Sequence, residues 1–411
     1  MTPSIDAARR RVRLNPRDPE VFNDPYRAYA AIREASPVFF WEDYGFWCFA
    51  RHADVSALLR DRRFGRQILH LMSRTELGWP EPKPHLEPFD KLERHSILEL
   101  EPPEHTRLRN LVNRAFVSRR IEKLGPRIAA LAHERIDAFA HQGSVDLIAE
   151  FAAPIPVAVI ADLLGVPREM GGELVEWSHR MVAMYQFGAN REVEERAAQA
   201  AGAFADFVRG FARARRGDLG DDLISQLLIA ESGGGRLSED ELVATVILLL
   251  NAGHEATVQA IGNGVKTMLD QGVDARLAFA SDSATAATVE ELLRLDPPLH
   301  LFQRHALEDV EVAGVRLKKG DRIGLLLGAA NRDPERFPDP DAFDNARAPN
   351  PHVSFGAGIH FCVGAPPARL ELTAALPILF ARLPGLRLAE PPRYRDAFHF
   401  HGLEALRVEW R

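Results

Sequence analysis

Cysteine is almost absent: the 411 residues contain Cys48 and Cys362 and no others. This excludes a disulfide framework and any all-cysteine zinc or iron–sulfur site, and such sparse use suits a reducing compartment. An excess of positive charge is also missing. Lys and Arg number 51 against 58 Asp and Glu, a net charge of −7, so the chain lacks the basic surface that a nucleic-acid partner usually needs. No run approaches the roughly 18 to 20 apolar residues of a membrane span. Met1 to Arg13 is polar and basic without an apolar core, so no secretory signal is read there and a cytoplasmic protein is expected. There is no internal repeat and no low-complexity linker.

What is present reads as mainly α with small β-sheets. Val38–Trp41 and Phe46–Ala50 around Asp43-Tyr44-Gly45 predict a hairpin. From about His52 to Ala287 the pattern is mostly helical. Strand-like stretches return at Val310–Leu317 and Ile323–Leu327, separated by the Lys318-Lys319-Gly320 turn. Val363 to Leu383 reads as a helix, and short strands are expected near Phe398 and Leu406–Glu409.

One helix stands out. Ser238 and Glu241 form a capping-box pattern and Gly272 lies just past the last turn. The roughly 33 residues between would run ~50 Å. Val243 to Leu250 is apolar on every side, as in a helix buried in a large core. The same helix then turns polar at Asn251-Ala252-Gly253-His254-Glu255-Ala256-Thr257.

Cys48, in an aromatic strand, reads as a small buried hydrophobe. Cys362 sits differently, in Phe355-Gly356-Ala357-Gly358-Ile359-His360-Phe361-Cys362-Val363-Gly364. The glycines offer bare backbone, as a flat ligand approaching closely would require. A cysteine just before a helix has its thiolate stabilised by free N–H groups and the dipole. Pro366 and Pro367 cannot donate, so Val363 and Gly364 are the expected donors.

This loop resembles the haem-binding loop of the cytochrome P-450 family, of the soluble bacterial type, at Phe355, Gly356, Gly358, His360, Cys362 and Gly364. The resemblance implies haem b held between the long helix and the cysteine loop, with Cys362 as the iron ligand. Phe355 would shield the sulfur and His360 would contact a propionate. It implies one catalytic domain over 1–411, with nothing left over for a fused reductase. Electrons would then come from a separate ferredoxin and ferredoxin reductase, and a monomer is expected.

Further stretches carry the same likeness. Taken alone, Glu291-Leu292-Leu293-Arg294 is an i,i+3 ion pair worth a few tenths of a kcal/mol. By resemblance it is a structural element supporting the haem pocket, completed by Arg347. His105 and Arg109 share a helix face, and the resemblance makes them and Arg304 propionate contacts. Ala330-Asn331-Arg332-Asp333-Pro334 with Phe337 matches the family as well.

Glu255 has two readings, because an unpaired carboxylate inside a buried helix is expensive. It pairs with a basic partner, or it relays protons beside Ala252 and Ala256, with small Ala252 and Gly253 leaving room for dioxygen. The family usually follows the acid with a threonine; here Ala256 holds that position. Thr257 is about 100° further round the helix and replaces it poorly. Ordinary monooxygenation of a hydrophobic small molecule with O2 is expected, with proton delivery through ordered water or a substrate hydroxyl. Peroxide-driven or coupling chemistry is an alternative, and a non-catalytic haem ligand binder another. The resemblance implies a pocket lined by Leu98, Met184, Phe187, Leu248, Leu249, Leu301, Phe302 and Phe398, several of which read equally as core; His70, His95, His300 and His399 read as polar contacts there or as surface or core. Arg62, Arg63, Arg66, Arg107, Arg109, Arg114, Arg119 and Arg120 read either as basic surface for an acidic ferredoxin or as a solvated face.

Overall fold

The computed structural model describes residues 3–115, 121–232 and 235–410. Its longer helices are α1 (Tyr26–Ala35), α2 (Glu104–Ala115), α3 (Gly125–Phe139), α4 (Pro154–Leu164), α5 (Gly171–Val182), α6 (Arg191–Arg215), α7 (Glu239–Asp270), α8 (Asp282–Leu295) and α9 (Ala365–Arg382). The expected class, mainly α with small β-sheets, is borne out.

α7 organises the rest. Its start is the expected capping box: Ser238 accepts from the Glu241 N–H while Glu241 reaches back to the Ser238 N–H. The helix runs for 32 residues. Val243, Val246, Ile247, Leu249 and Leu250 enter one apolar cluster with α4, α5 and α6. Val258, Ile261, Val265 and Met268 enter a second with α3, α8 and α9. The polar stretch Asn251 to Thr257 lies between the two. α7 is also the one described helix long and apolar enough to cross a membrane, but 72% of its most apolar window is buried inside the protein.

The main sheet has seven strands. They are β1 (Ser4–Asp6), β2 (Arg11–Arg13), β3 (Val38–Trp41), β4 (Phe46–Phe49), β5 (Phe64–Gly65), β6 (Leu301–Ala306) and β7 (Arg322–Leu326), in the spatial order β1-β2-β3-β4-β7-β6-β5. β3 and β4 form the expected hairpin with Phe39 opposite Cys48, closed by Gly45 at φ 74°. Cys48 is fully buried and a Cβ on Gly324 of β7 would come within 2.7 Å of its Sγ, so it is core.

Several elements depart from the sequence expectation. Val310–Leu317 is two strands, Val310–Val312 and Val315–Leu317, folded back at Ala313 (φ 47°) and Gly314 (φ 70°). β6 was not anticipated as a strand. Phe398 lies outside any strand, buried against Trp41 at a ring separation of 5.4 Å. The terminal strands are Leu403–Ala405 and Arg407–Glu409.

Candidate active site

Cys362 is half-buried at the end of the loop that feeds α9, whose first turn carries the two prolines. Its N–H donates to the Phe355 carbonyl at 3.0 Å, which folds the loop back on itself. Burial pushes the thiol pKa up; the N–H groups of Gly364 and Ala365 and the Arg109 and Arg369 charges act against it. Gly364, an expected donor, is joined by Ala365, and the helix begins at Ala365, two residues later than the sequence suggested. Two of the glycines are required by the packing of the loop itself. Gly358 has φ 72°, and a Cβ there would meet the Leu59 carbonyl oxygen at 2.4 Å. Gly356 has φ 67° and a Cβ there would press on the Phe302 ring at 3.1 Å. Both positions let other protein segments pack closely against the loop.

Phe355 is held from outside the loop. The Arg369 guanidinium lies 4.4 Å from its ring centroid and binds Glu290 at 2.5 and 2.9 Å; Glu290 also meets His352 at 3.0 Å. Glu290 was invisible beside the more conspicuous Glu291, although its position before a buried helix face was the available signal. Arg109 Nη2 donates to the Phe361 carbonyl at 2.7 Å and Nε to Asn113 at 3.1 Å, tying α2 to the cysteine loop.

Near the loop, His105 and His360 meet at a ring separation of 4.4 Å. His105 is buried with neither ring nitrogen bonded, and His360 Nε2 is likewise unbonded, 3.5 Å from Glu101 Oε1. Burial, with the His360 and Arg109 charges, lowers His105 to about 4. Arg304, 3% exposed, donates only to the neighbouring Gln303 carbonyl, at 2.8 Å; burial first, and then the Arg66 charge, lowers it to about 9. Buried donors left without acceptors are costly. An anionic group with several acceptor oxygens satisfies all three, and a half-buried thiol stands nearby. The residues fit a haem with its propionates. Glu101, which also accepts from the Arg66 N–H, is a member of this cluster that sequence reasoning missed.

On α7, Leu248, Ala252 and Ala256 recur every four residues and so share a face. Ala252 is exposed and the other two part-exposed, in a helix whose neighbouring residues are buried. This stripe is an accessible face in the middle of an otherwise buried helix. Gly253 is not part of it: a Cβ there would touch Ile160 of α4 at 3.6 Å. Thr257 is 4% exposed, turned from the stripe as its helical angle requires. Glu255, 3% exposed, is paired. Oε1 accepts from Arg395, and Oε2 lies 3.2 Å from Nε2 of His179 on α5 and 4.0 Å from His254 Nδ1. Burial alone would raise the carboxyl; the His179 bond and the Arg395 charge outweigh it and hold it down to about 2.

Glu291 and Arg294 are both fully buried, not the exposed pair that spacing alone suggests. Arg294 binds both carboxylate oxygens at 2.7 and 2.8 Å, and Arg347 adds a contact at 3.3 Å. Of the expected lining, Leu249, Leu301 and Phe398 are core instead, at 5%, 1% and 5% exposure. Leu98, Met184, Leu248 and Phe302 remain part-exposed. Phe187 is exposed and packs on Tyr44 of the β3–β4 turn at 4.8 Å. His300 is buried with Nδ1 2.9 Å from the Tyr29 hydroxyl, so it is not a pocket contact. Among the expected surface arginines, Arg63 is tied to Asp61, Arg66 to Glu99 and Arg107 to Glu241. Arg119 and Arg120 lie outside the described residues.

Comparison with known proteins agrees with this geometry. The Cytochrome P450 family model matches residues 283–383. The polyketide biosynthesis cytochrome P450 PksS of Bacillus subtilis (strain 168) is 35% identical over 405 residues, covering 96% of this chain and 98% of that protein. The 6-deoxyerythronolide B hydroxylase of Saccharopolyspora erythraea is 36% identical over 393 residues, covering 94% and 96%. Among solved structures, P450BioI in complex with hexadec-9Z-enoic acid ligated acyl carrier protein superposes with a TM-score of 0.89 at 33% identity, over 96% of this chain and 99% of that one. The chain belongs to the cytochrome P450 family and is a monooxygenase.

Proposed function

We propose that residues 1–411 form a single, monomeric, cytoplasmic catalytic domain that binds haem b through Cys362. It inserts one oxygen atom of O2 into an apolar small molecule, with NAD(P)H electrons delivered by a separate ferredoxin and ferredoxin reductase. Bound haem supplies oxygen activation, and its thiolate ligand donates electron density to that chemistry. His105, Arg304 and His360 hold the propionates. Arg109 fixes the loop backbone and Arg369 fixes Phe355 beside the sulfur. Leu248, Ala252 and Ala256 form the α7 wall against which substrate and O2 are placed.

The observation that carries this reading is Glu255. It is a buried carboxylate one residue from Ala256, and its other side meets His179, whose side chain is 47% exposed. The His179 contact links the carboxylate to solvent, and from this position on α7 it would pass protons inward past Ala256. Ala256 carries no hydroxyl, so the last proton reaches the cavity through ordered water or a substrate hydroxyl. The relatives' names refer to polyketide biosynthesis, 6-deoxyerythronolide B and a carrier-linked hexadecenoic acid, which supports a large, mostly apolar substrate. An acidic ferredoxin fits the cysteine side. Phe361 is 40% exposed there, and exposed Arg62 follows the Leu59 segment that packs on Gly358.

The missing hydroxyl favours a second reading, peroxide-driven or coupling chemistry on the same haem. Candidate ligands that shift the Soret band are then turned over with a surrogate ferredoxin system at rising salt. Product formed per NAD(P)H is compared for the substrate and an analogue lacking its hydroxyl, in wild type and Ala256→Thr. Substrate assistance predicts that Ala256→Thr rescues the analogue more than the native substrate. A positioned donor contributes about 10² to 10⁴ in rate, so the rescue is measurable. Equal high coupling in all four combinations removes substrate assistance. Turnover with peroxide alone, and none with the ferredoxin system, selects the second reading.

A further inference from the structure

α5 and α7 bring together His179, His254 and Glu255, and the atoms they present all lie within 4.8 Å of one another. His179 Nε2 is 3.2 Å from Glu255 Oε2, and His254 Nδ1 is 4.0 Å from the same oxygen. The two imidazole rings are 5.3 Å apart, inclined at 45°. His254 is 2% exposed, and its Nδ1 has no hydrogen-bond partner. A buried ring nitrogen without a partner is unfavourable, and this one faces the cluster.

From this geometry we propose that His179, His254 and Glu255 form a binding site for a divalent transition-metal ion of the zinc type. Two imidazole nitrogens beside one carboxylate oxygen form a donor set that Zn²⁺ takes, whereas Mg²⁺ and Ca²⁺ prefer oxygen ligands throughout. Tetrahedral bonds of about 2.0 to 2.1 Å place ligand atoms about 3.3 Å apart. The His179–Glu255 pair already meets that spacing, and the others close it by a small rotation of His254 and by tightening of α5 onto α7. The carboxylate need not give up Arg395. Arg395 binds Oε1 and the histidines face Oε2, so the guanidinium becomes the outer partner that orients a metal-bound carboxylate. The half-exposed His179 leaves the fourth position open to water.

A metal here would pin α5 to α7 and occupy the carboxylate assigned to proton transfer. Inhibition is the consequence, and that part rests on the proposed role of Glu255, whereas binding does not. The ferric holoenzyme is dialysed against ZnCl2 with excess Mg²⁺, and bound zinc is measured per chain. The expected result is one tightly held Zn²⁺ that Mg²⁺ does not displace. His179→Ala changes a half-exposed side chain and should keep the thiolate-type spectrum while weakening zinc at least tenfold, since losing even an outer partner costs about 10- to 100-fold. His254→Gln should act alike. No zinc bound at about 100 µM, or binding that His179→Ala leaves intact, overturns the site. Stoichiometric binding without loss of turnover keeps the site and overturns the relay role of Glu255.

Discussion

Replacing Arg294 by lysine keeps the charge and tests whether the buried network is held by geometry. Arg294 spends all its N–H groups: Nε and Nη2 on Glu291 at 2.8 and 2.7 Å, Nη1 on the Asn331 and Pro340 carbonyls at 2.9 and 2.7 Å, and Nη2 on the Ala342 carbonyl at 3.3 Å. Lysine offers three donors on a point charge, where arginine offers about five in a planar fork. About two acceptors therefore lose their partner, at about 1 to 3 kcal/mol for each buried one. The bonds to the Pro340 and Ala342 carbonyls are only partly buried, so water recovers part of that loss and roughly 2 to 4 kcal/mol is expected. Against a total stability of about 5 to 15 kcal/mol, that is a severe loss for a charge-conserving change. Urea midpoints and haem content per chain measure it, with Glu291→Gln as the companion that leaves the buried guanidinium unpaired. A change under about 0.5 kcal/mol, with full haem content and only turnover lost, would refute the structural role and point to direct chemistry.

Carbon-monoxide spectra of the reduced protein should lose the red-shifted thiolate band in Cys362→Ala and retain it in Cys48→Ala; a normal band in Cys362→Ala would end the assignment. Gly358→Ala places a Cβ 2.4 Å from the Leu59 oxygen at φ 72°, so haem-poor or insoluble protein is expected, and wild-type yield with full haem content would show that the loop relaxes freely. The Glu255 carboxyl, held at about 2 in the folded protein against about 4.3 unfolded, contributes roughly 3 kcal/mol above pH ~4.5. That contribution is lost as pH falls toward 2, so the stability gap between wild type and Glu255→Gln should narrow with acid, and a gap that widens would contradict the ion pairing.

The parts of the fold legible in the sequence are those set by local rules. The α7 capping box, the β3–β4 hairpin and the apolar-then-polar division of α7 each depend on neighbours within a few residues. What escaped depends on partners far along the chain. β6 is a strand because it pairs with β7 and β5, and its own Leu301-Phe302-Gln303-Arg304-His305-Ala306 does not alternate cleanly. Phe398 and Leu301 looked like pocket walls because apolar spacing does not say which apolar surface they meet; both lie in the aromatic cluster of Tyr29 and Trp41.

The same distinction runs through the site. Cys362, Glu291 and Glu255 were conspicuous because each is a costly residue in its setting, a reactive thiol at a helix start or a carboxylate in an apolar helix. The groups that make those settings tolerable were not: Glu290 and Arg369 around Phe355, and Arg395 and His179 around Glu255. Compensation comes from whichever distant segment packs there, so a sequence announces the need for a partner and not its identity. Glu255 makes the point sharply. Its two readings, structural pair and proton relay, were posed as rivals; the pairing is what the geometry shows, and it is compatible with the relay proposed above. The Arg395 pairing lets an ionised carboxylate persist 3% exposed inside α7, and the His179 contact joins that carboxylate to solvent. The observed pairing accounts for the buried charge, and the half-exposed His179 is the route by which the proposed relay would reach water.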